Sequence, residues 1–68
     1  MKNKFGERLS ILLTEKNISY REFAQRLDIS PSIVSQWTRG LKQPTADNIL
    51  LVAEFFDVST DYILGKTE

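Results

Sequence analysis

Apolar residues recur along this chain at helical rather than strand spacing. Phe5, Leu9, Leu12 and Leu13 stand at i, i+4, i+7 and i+8, on one face of a helix from about residue 3 to 16. Phe23, Ala24 and Leu27 predict a second helix over 20–27. Ile33, Val34 and Trp37 predict a third over 31–38, stopped by Gly40. Pro44 and Thr45 introduce a fourth, 45–56, whose inner stripe is Ile49, Val52, Ala53 and Phe56. Tyr62, Ile63 and Leu64 make a fifth, 60–64, ended by Gly65. No segment alternates with period two over a strand's length, so the expected class is all-α, five short helices around one core.

The breaks between helices repeat a phrase: Asn17-Ile18-Ser19, Asp28-Ile29-Ser30 and Asp57-Val58-Ser59. Asn and Asp tolerate the left-handed conformation needed just past a helix end. The apolar residue then sits before the next helix and the serine at its N-cap. At Ser19, Glu22 is placed to complete a capping box, and Ile18 to staple to Phe23. At Ser30 the next residue is Pro31, suited to the first helical position, with Ile29 placed to staple to Val34. The intervals between the phrases differ, so they punctuate the chain rather than repeat a unit.

The third helix carries two faces of opposite character. Opposite Ile33, Val34 and Trp37 run Ser32, Ser35, Gln36 and Arg39, three neutral hydrogen-bonding side chains and one arginine with no carboxylate. A solvent-facing stripe is ordinarily written in Glu and Lys, which form helix well and pair with each other. Two readings fit this one: a polar surface that lacks acids, or a face that reads donors and acceptors on base edges beside phosphates. Trp37 belongs to the apolar stripe and reads as core rather than as a platform for a stacked base.

Composition narrows the field. The 68 residues form one small domain, able to bury only about 60% of its unfolded surface. There is no cysteine and no histidine, which removes disulfides, the usual zinc ligands and the commonest general base. No carboxylates cluster in a recognisable site, so the expectation is no enzyme, no metal and no cofactor. The longest apolar run, Ile49 to Ala53, is far too short to span a bilayer, and no signal segment opens the chain; no membrane partner is expected, and a cytoplasmic location is.

The net charge is zero, but its distribution is dipolar. Residues 1–42 hold eight Lys/Arg against four Asp/Glu, and residues 43–68 hold one against five. No acid occurs between Asp28 and Asp47, the span that contains the unusual face. A neutral chain charged in this way retains one basic surface.

The second and third helices are eight residues each, joined by three. So tight a connection makes them cross steeply, with the second bracing the third, as in a helix-turn-helix whose second helix enters the major groove. Ile18-Ser19, Glu22-Phe23-Ala24, Leu27, Ile29-Ser30, Ile33, Ser35, Trp37 and Gly40 together resemble the Cro/repressor-like, or XRE-like, helix-turn-helix family. Pro44 and the ending Val58-Ser59-Thr60-Asp61-Tyr62-Ile63-Leu64-Gly65 fit it too, so the resemblance runs from Phe5 to Gly65. It implies a lambda-repressor-like domain of five helices that binds operator DNA, usually as a symmetric dimer.

Carried over by position, the resemblance makes Pro31, Ser32, Ser35 and Gln36 groove-facing, with Gln36 the first choice for base readout. Arg39 and Lys42, flanking Gly40, take the role of phosphate contacts, as does Tyr20 at the start of the second helix. Family members commonly have glutamine where Tyr20 stands, so here a phenolic hydroxyl would serve, or the ring simply packs on the surface. Many carry an arginine at the position of Leu13 and a glutamate at that of Thr38; both are replaced here, and losing both partners strands no charge. Asp28 stands where glycine is usual.

Leu51 and Phe55, four apart and opposite the fourth helix's core stripe, are either covered by the fifth helix or form a homodimer contact. The expectation is a single domain over 1–68 that binds double-stranded DNA as a phage-type repressor on an inverted repeat. The alternative is a protein-interaction module of the same fold. Gly65-Lys66-Thr67-Glu68 resembles the join at which longer family members continue into a further domain.

Overall fold

Phe5, Leu9, Leu12 and Leu13, each at most 4% exposed, form the buried stripe of the first helix, α1 (Phe5–Glu15). The structure is a computed structural model that describes residues 3–66, so Thr67 and Glu68 of the expected join lie outside the described residues. The other elements are α2 (Tyr20–Leu27), α3 (Pro31–Thr38), α4 (Ala46–Phe56) and α5 (Thr60–Ile63). Among the described residues these five helices are the only regular elements, and no strand occurs. The helix ends differ from expectation by two residues at most. The largest difference is at α1, where Asn3 Oδ1 accepts the Phe5 amide and residues 3 and 4 stay outside the first turn.

Every helix closes on itself in the same way. Asn17, Asp28, Gly40, Asp57 and Gly65 all have positive φ, between 57° and 83°. At each, two amides fold back onto the last turn: after α1, Ile18 donates to the Leu13 carbonyl and Asn17 to that of Thr14. After α3, Leu41 donates to Gln36 and Gly40 to Trp37. This is the Schellman pattern, which satisfies carbonyls that a helix end otherwise leaves open.

The starts are less uniform. Ser19, Thr45 and Ser59 cap through their side chains, accepting the amides of Glu22, Asn48 and Tyr62. Ser30 occupies the N-cap of α3 without capping through its hydroxyl. The Ile33 amide is taken by Ser30's own carbonyl at 3.1 Å, and the hydroxyl meets that of Ser32 at 2.9 Å. Glu22 also departs from the full capping box: its carboxylate lies 3.8 Å from Arg26, one turn on, rather than returning to Ser19.

The core is entirely apolar among the described residues, with no buried polar or charged side chain. Trp37 is 2% exposed and meets the edge of Phe5 at a centroid distance of 5.5 Å, tying α3 to α1. Leu13 is buried among these apolar groups, so the place where an arginine is common holds no charge. A second aromatic group joins α2 to α4, with Phe23 5.2 Å from Phe55 and 5.5 Å from Phe56. The result sets α3 against both α1 and α2, while α5 closes over α1 and α4.

Candidate nucleic-acid interface

Burial of Val34 and Trp37, with Ile33 packed partly beneath, fixes which way α3 faces. The opposite stripe is therefore outward: Pro31, Ser32 and Arg39 are exposed, and Ser35 and Gln36 are half-buried. These five expected residues share one face. Among the described residues, Gln36, Arg39 and Lys42 have no side-chain hydrogen bond or ion pair, so their donors are uncommitted.

Beyond α3, the left-handed turn at Gly40 swings the chain so that Arg39 and Lys42 line one cleft of about 230 Å³. Asn3, just ahead of α1, and Gly6 and Glu7 of its first turn form the other wall. The sequence reading missed this wall, because nothing in the periodicity of α1 reveals that its start meets the end of α3. Glu7 is the one carboxylate among the cleft's lining residues.

Tyr20, 39% exposed, has a partner that the sequence did not disclose. Its hydroxyl donates to Thr38 Oγ1 at 3.0 Å, and the Thr38 hydroxyl donates to the Ser35 carbonyl at 3.0 Å. The first residue of α2 is thus tied to the last residue of α3.

The expected dimer pair separates. Leu51 is 45% exposed. Phe55 is half-buried against Phe23 and Phe56, and the Arg26 guanidinium lies 5.8 Å above its ring. Cover for Phe55 thus comes from α2, which the sequence reading did not weigh. Two other leucines are more exposed than Leu51: Leu41 at 65% and Leu50 at 54%.

Among the described residues no three or more His, Cys, Asp or Glu side chains gather to hold a metal ion. Nor is any helix long and apolar enough to cross a membrane.

Comparison with known proteins places this geometry. Residues 9–63 match the helix-turn-helix family HTH_3. The chain is 33% identical over 63 residues to the HTH-type transcriptional regulator ImmR of Bacillus subtilis (strain 168), covering 93% of this chain and 50% of ImmR. It is 31% identical over 65 residues to the HTH-type transcriptional activator BcrR of Enterococcus faecalis, covering 96% of this chain and 32% of BcrR. The chain spans about a third to a half of the length of these curated relatives. Among solved structures, the P22 c2 repressor in complex with a synthetic operator superposes with a TM-score of 0.85 at 25% identity, covering 93% of this chain and 96% of that one. A transcriptional regulator from Listeria innocua superposes over the whole chain and 64% of its own length, with a TM-score of 0.90 at 24% identity. With the matched family spanning residues 9–63, the chain belongs to the XRE-like helix-turn-helix family of DNA-binding transcription regulators.

Proposed function

We propose that this chain is the sequence-specific DNA-binding module of a cytoplasmic transcription regulator, with α3 as its recognition helix. One observation carries the reading: the outward face of α3 is free of acids and holds uncommitted polar and cationic side chains on a rigidly buried base. With its side chains an α-helix is about 10–12 Å across, matched to a major groove about 12 Å wide. Gln36 presents an amide that can pair bidentately with adenine N6 and N7. Ser32, Ser35 and Pro31 line the same approach, and Arg39 and Lys42 meet phosphates, setting orientation without specifying sequence.

Two copies on an inverted repeat would place their third helices about 34 Å apart in successive major grooves. The P22 c2 repressor neighbour, in complex with a synthetic operator, supports double-stranded operator DNA as the partner. Occlusion of a promoter is the mechanism proposed for the pair of copies. Exposed Leu51 is the candidate contact between copies.

Selection from a random double-stranded DNA pool at low salt tests the reading. An enriched inverted repeat is expected, and its half-site spacing reports the docking geometry. Enrichment of a single half-site would retain DNA binding and remove the dimer. No enrichment by the folded protein would overturn the proposal in favour of a protein-interaction module, the reading that zero net charge and exposed Leu41, Leu50 and Leu51 favour.

A further inference from the structure

Helices α2 and α3 are joined covalently at one end by residues 28–30. Their far ends are Tyr20 and Thr38, eighteen positions apart in sequence and joined by one hydrogen bond. Each helix is about 12 Å long, so a pair held only at its turn opens by ångströms at the free ends for a small change of angle. The Tyr20–Thr38 bond spans those free ends.

Its direction follows from counting protons. The Thr38 hydroxyl has one, and it points to the Ser35 carbonyl; Tyr20 is therefore the donor to Thr38 Oγ1. A tyrosine hydroxyl also has only one proton. With that proton given to Thr38, the phenol turns only lone pairs outward, and a phosphodiester has no proton to offer them.

We infer that Tyr20 is a positioning residue rather than a phosphate donor. The relay from Tyr20 through Thr38 to the Ser35 carbonyl holds the recognition helix at its working angle to α2. The inference rests on the DNA-binding reading for its consequence, but the tie itself exists without DNA.

The test compares Tyr20→Phe, Thr38→Val, the double variant and Thr38→Ser, by urea unfolding and by affinity for pool-selected DNA across a range of salt. Losing one such bond should weaken DNA binding by about two- to tenfold in either single variant. The double variant should bind no worse than the weaker single one, the slope of affinity against salt should stay that of the unmodified chain, and Thr38→Ser should restore binding. Unfolding should show the same non-additivity. Additive losses in unfolding would overturn the tie. A loss of DNA affinity confined to Tyr20→Phe, with Thr38→Val binding as the unmodified chain does, would make the hydroxyl a phosphate donor after all, through a neutral contact that positions without releasing counterions. If the unmodified chain binds no DNA, the DNA-binding reading falls separately, and the unfolding cycle alone upholds or removes the tie.

Discussion

Gly6 lies directly against the carbonyl of Trp37, so close that any Cβ there would collide with it. The Thr38 backbone sits beside it, with Cα and carbonyl oxygen each 3.3 Å from that Cβ position. The first turn of α1 can therefore rest on the last turn of α3 only because residue 6 has no side chain. Gly6→Ala sets two effects against each other. Alanine favours helix by up to about 1 kcal/mol, whereas overpacking costs about 1–3 kcal/mol. The colliding atom is backbone and cannot swing aside, so net destabilisation is expected. A urea midpoint at or above that of the unmodified chain would show that α1 shifts freely.

The serines at helix starts should not be equivalent. Ser19→Ala removes a real cap and should cost about 1 kcal/mol. Ser30→Ala removes only a hydroxyl contact with Ser32 and should cost clearly less. Equal losses in chemical denaturation would contradict the arrangement at Ser30.

That contrast marks what could be read from the chain. Left-handed closures at Asn17, Asp28 and Asp57 were legible because they depend on residues adjacent in sequence. So was the division of α3 into buried Val34 and Trp37 and an outward polar face, since helical period alone decides it. The hydroxyl of Ser30 was not legible, because the same sequence permits the Ser30 carbonyl to take the Ile33 amide instead. The meeting of Tyr20 with Thr38, of Gly6 with Trp37 and of Phe55 with Phe23 depends on how helices cross, which no local pattern encodes.

Asp28 holds φ at 59°, a conformation that costs an L residue about 1 kcal/mol or more and costs glycine nothing. Asp28→Gly should therefore raise stability by up to about 1 kcal/mol. It also removes a carboxylate from the turn that leads into α3, so DNA affinity should rise at low salt and converge with the unmodified value at high salt. A fall in the unfolding midpoint would show that the Asp28 side chain contributes something that the backbone does not reveal.

Base and phosphate contacts separate by their response to sequence and salt. Gln36→Ala should lose about 1–3 kcal/mol at one base pair and leave binding to scrambled DNA nearly unchanged. Lys42→Ala should weaken all sequences alike and flatten the slope of log affinity against log salt by about one. Binding titrations on selected and scrambled duplexes at several salt concentrations distinguish the two, and identical behaviour of both variants would sink the assignment.

Leu51 and Phe55 should part company in the same way. Leu51→Lys changes an exposed site, so unfolding should move by no more than about 0.5 kcal/mol while any association between copies on DNA weakens. Phe55→Ala opens a gap beside Phe23 and Phe56 and should cost about 2 kcal/mol. Sedimentation with and without DNA reads the first, and denaturation the second. An unfolding loss at Leu51 as large as that at Phe55 would mean that Leu51 belongs to the fold.

The amide of Lys4, just ahead of α1, donates to the carbonyl of Leu64, just past α5, at 3.2 Å. The described chain therefore starts and finishes side by side, and its five helices form a nearly closed ring. Order along such a ring is a matter of where it is cut. A linker of a few residues across the Lys4–Leu64 seam, with a new opening in the exposed stretch from Leu41 to Gln43, yields a permuted chain running α4, α5, α1, α2, α3. In that chain α3 comes last and yet sits in the same place.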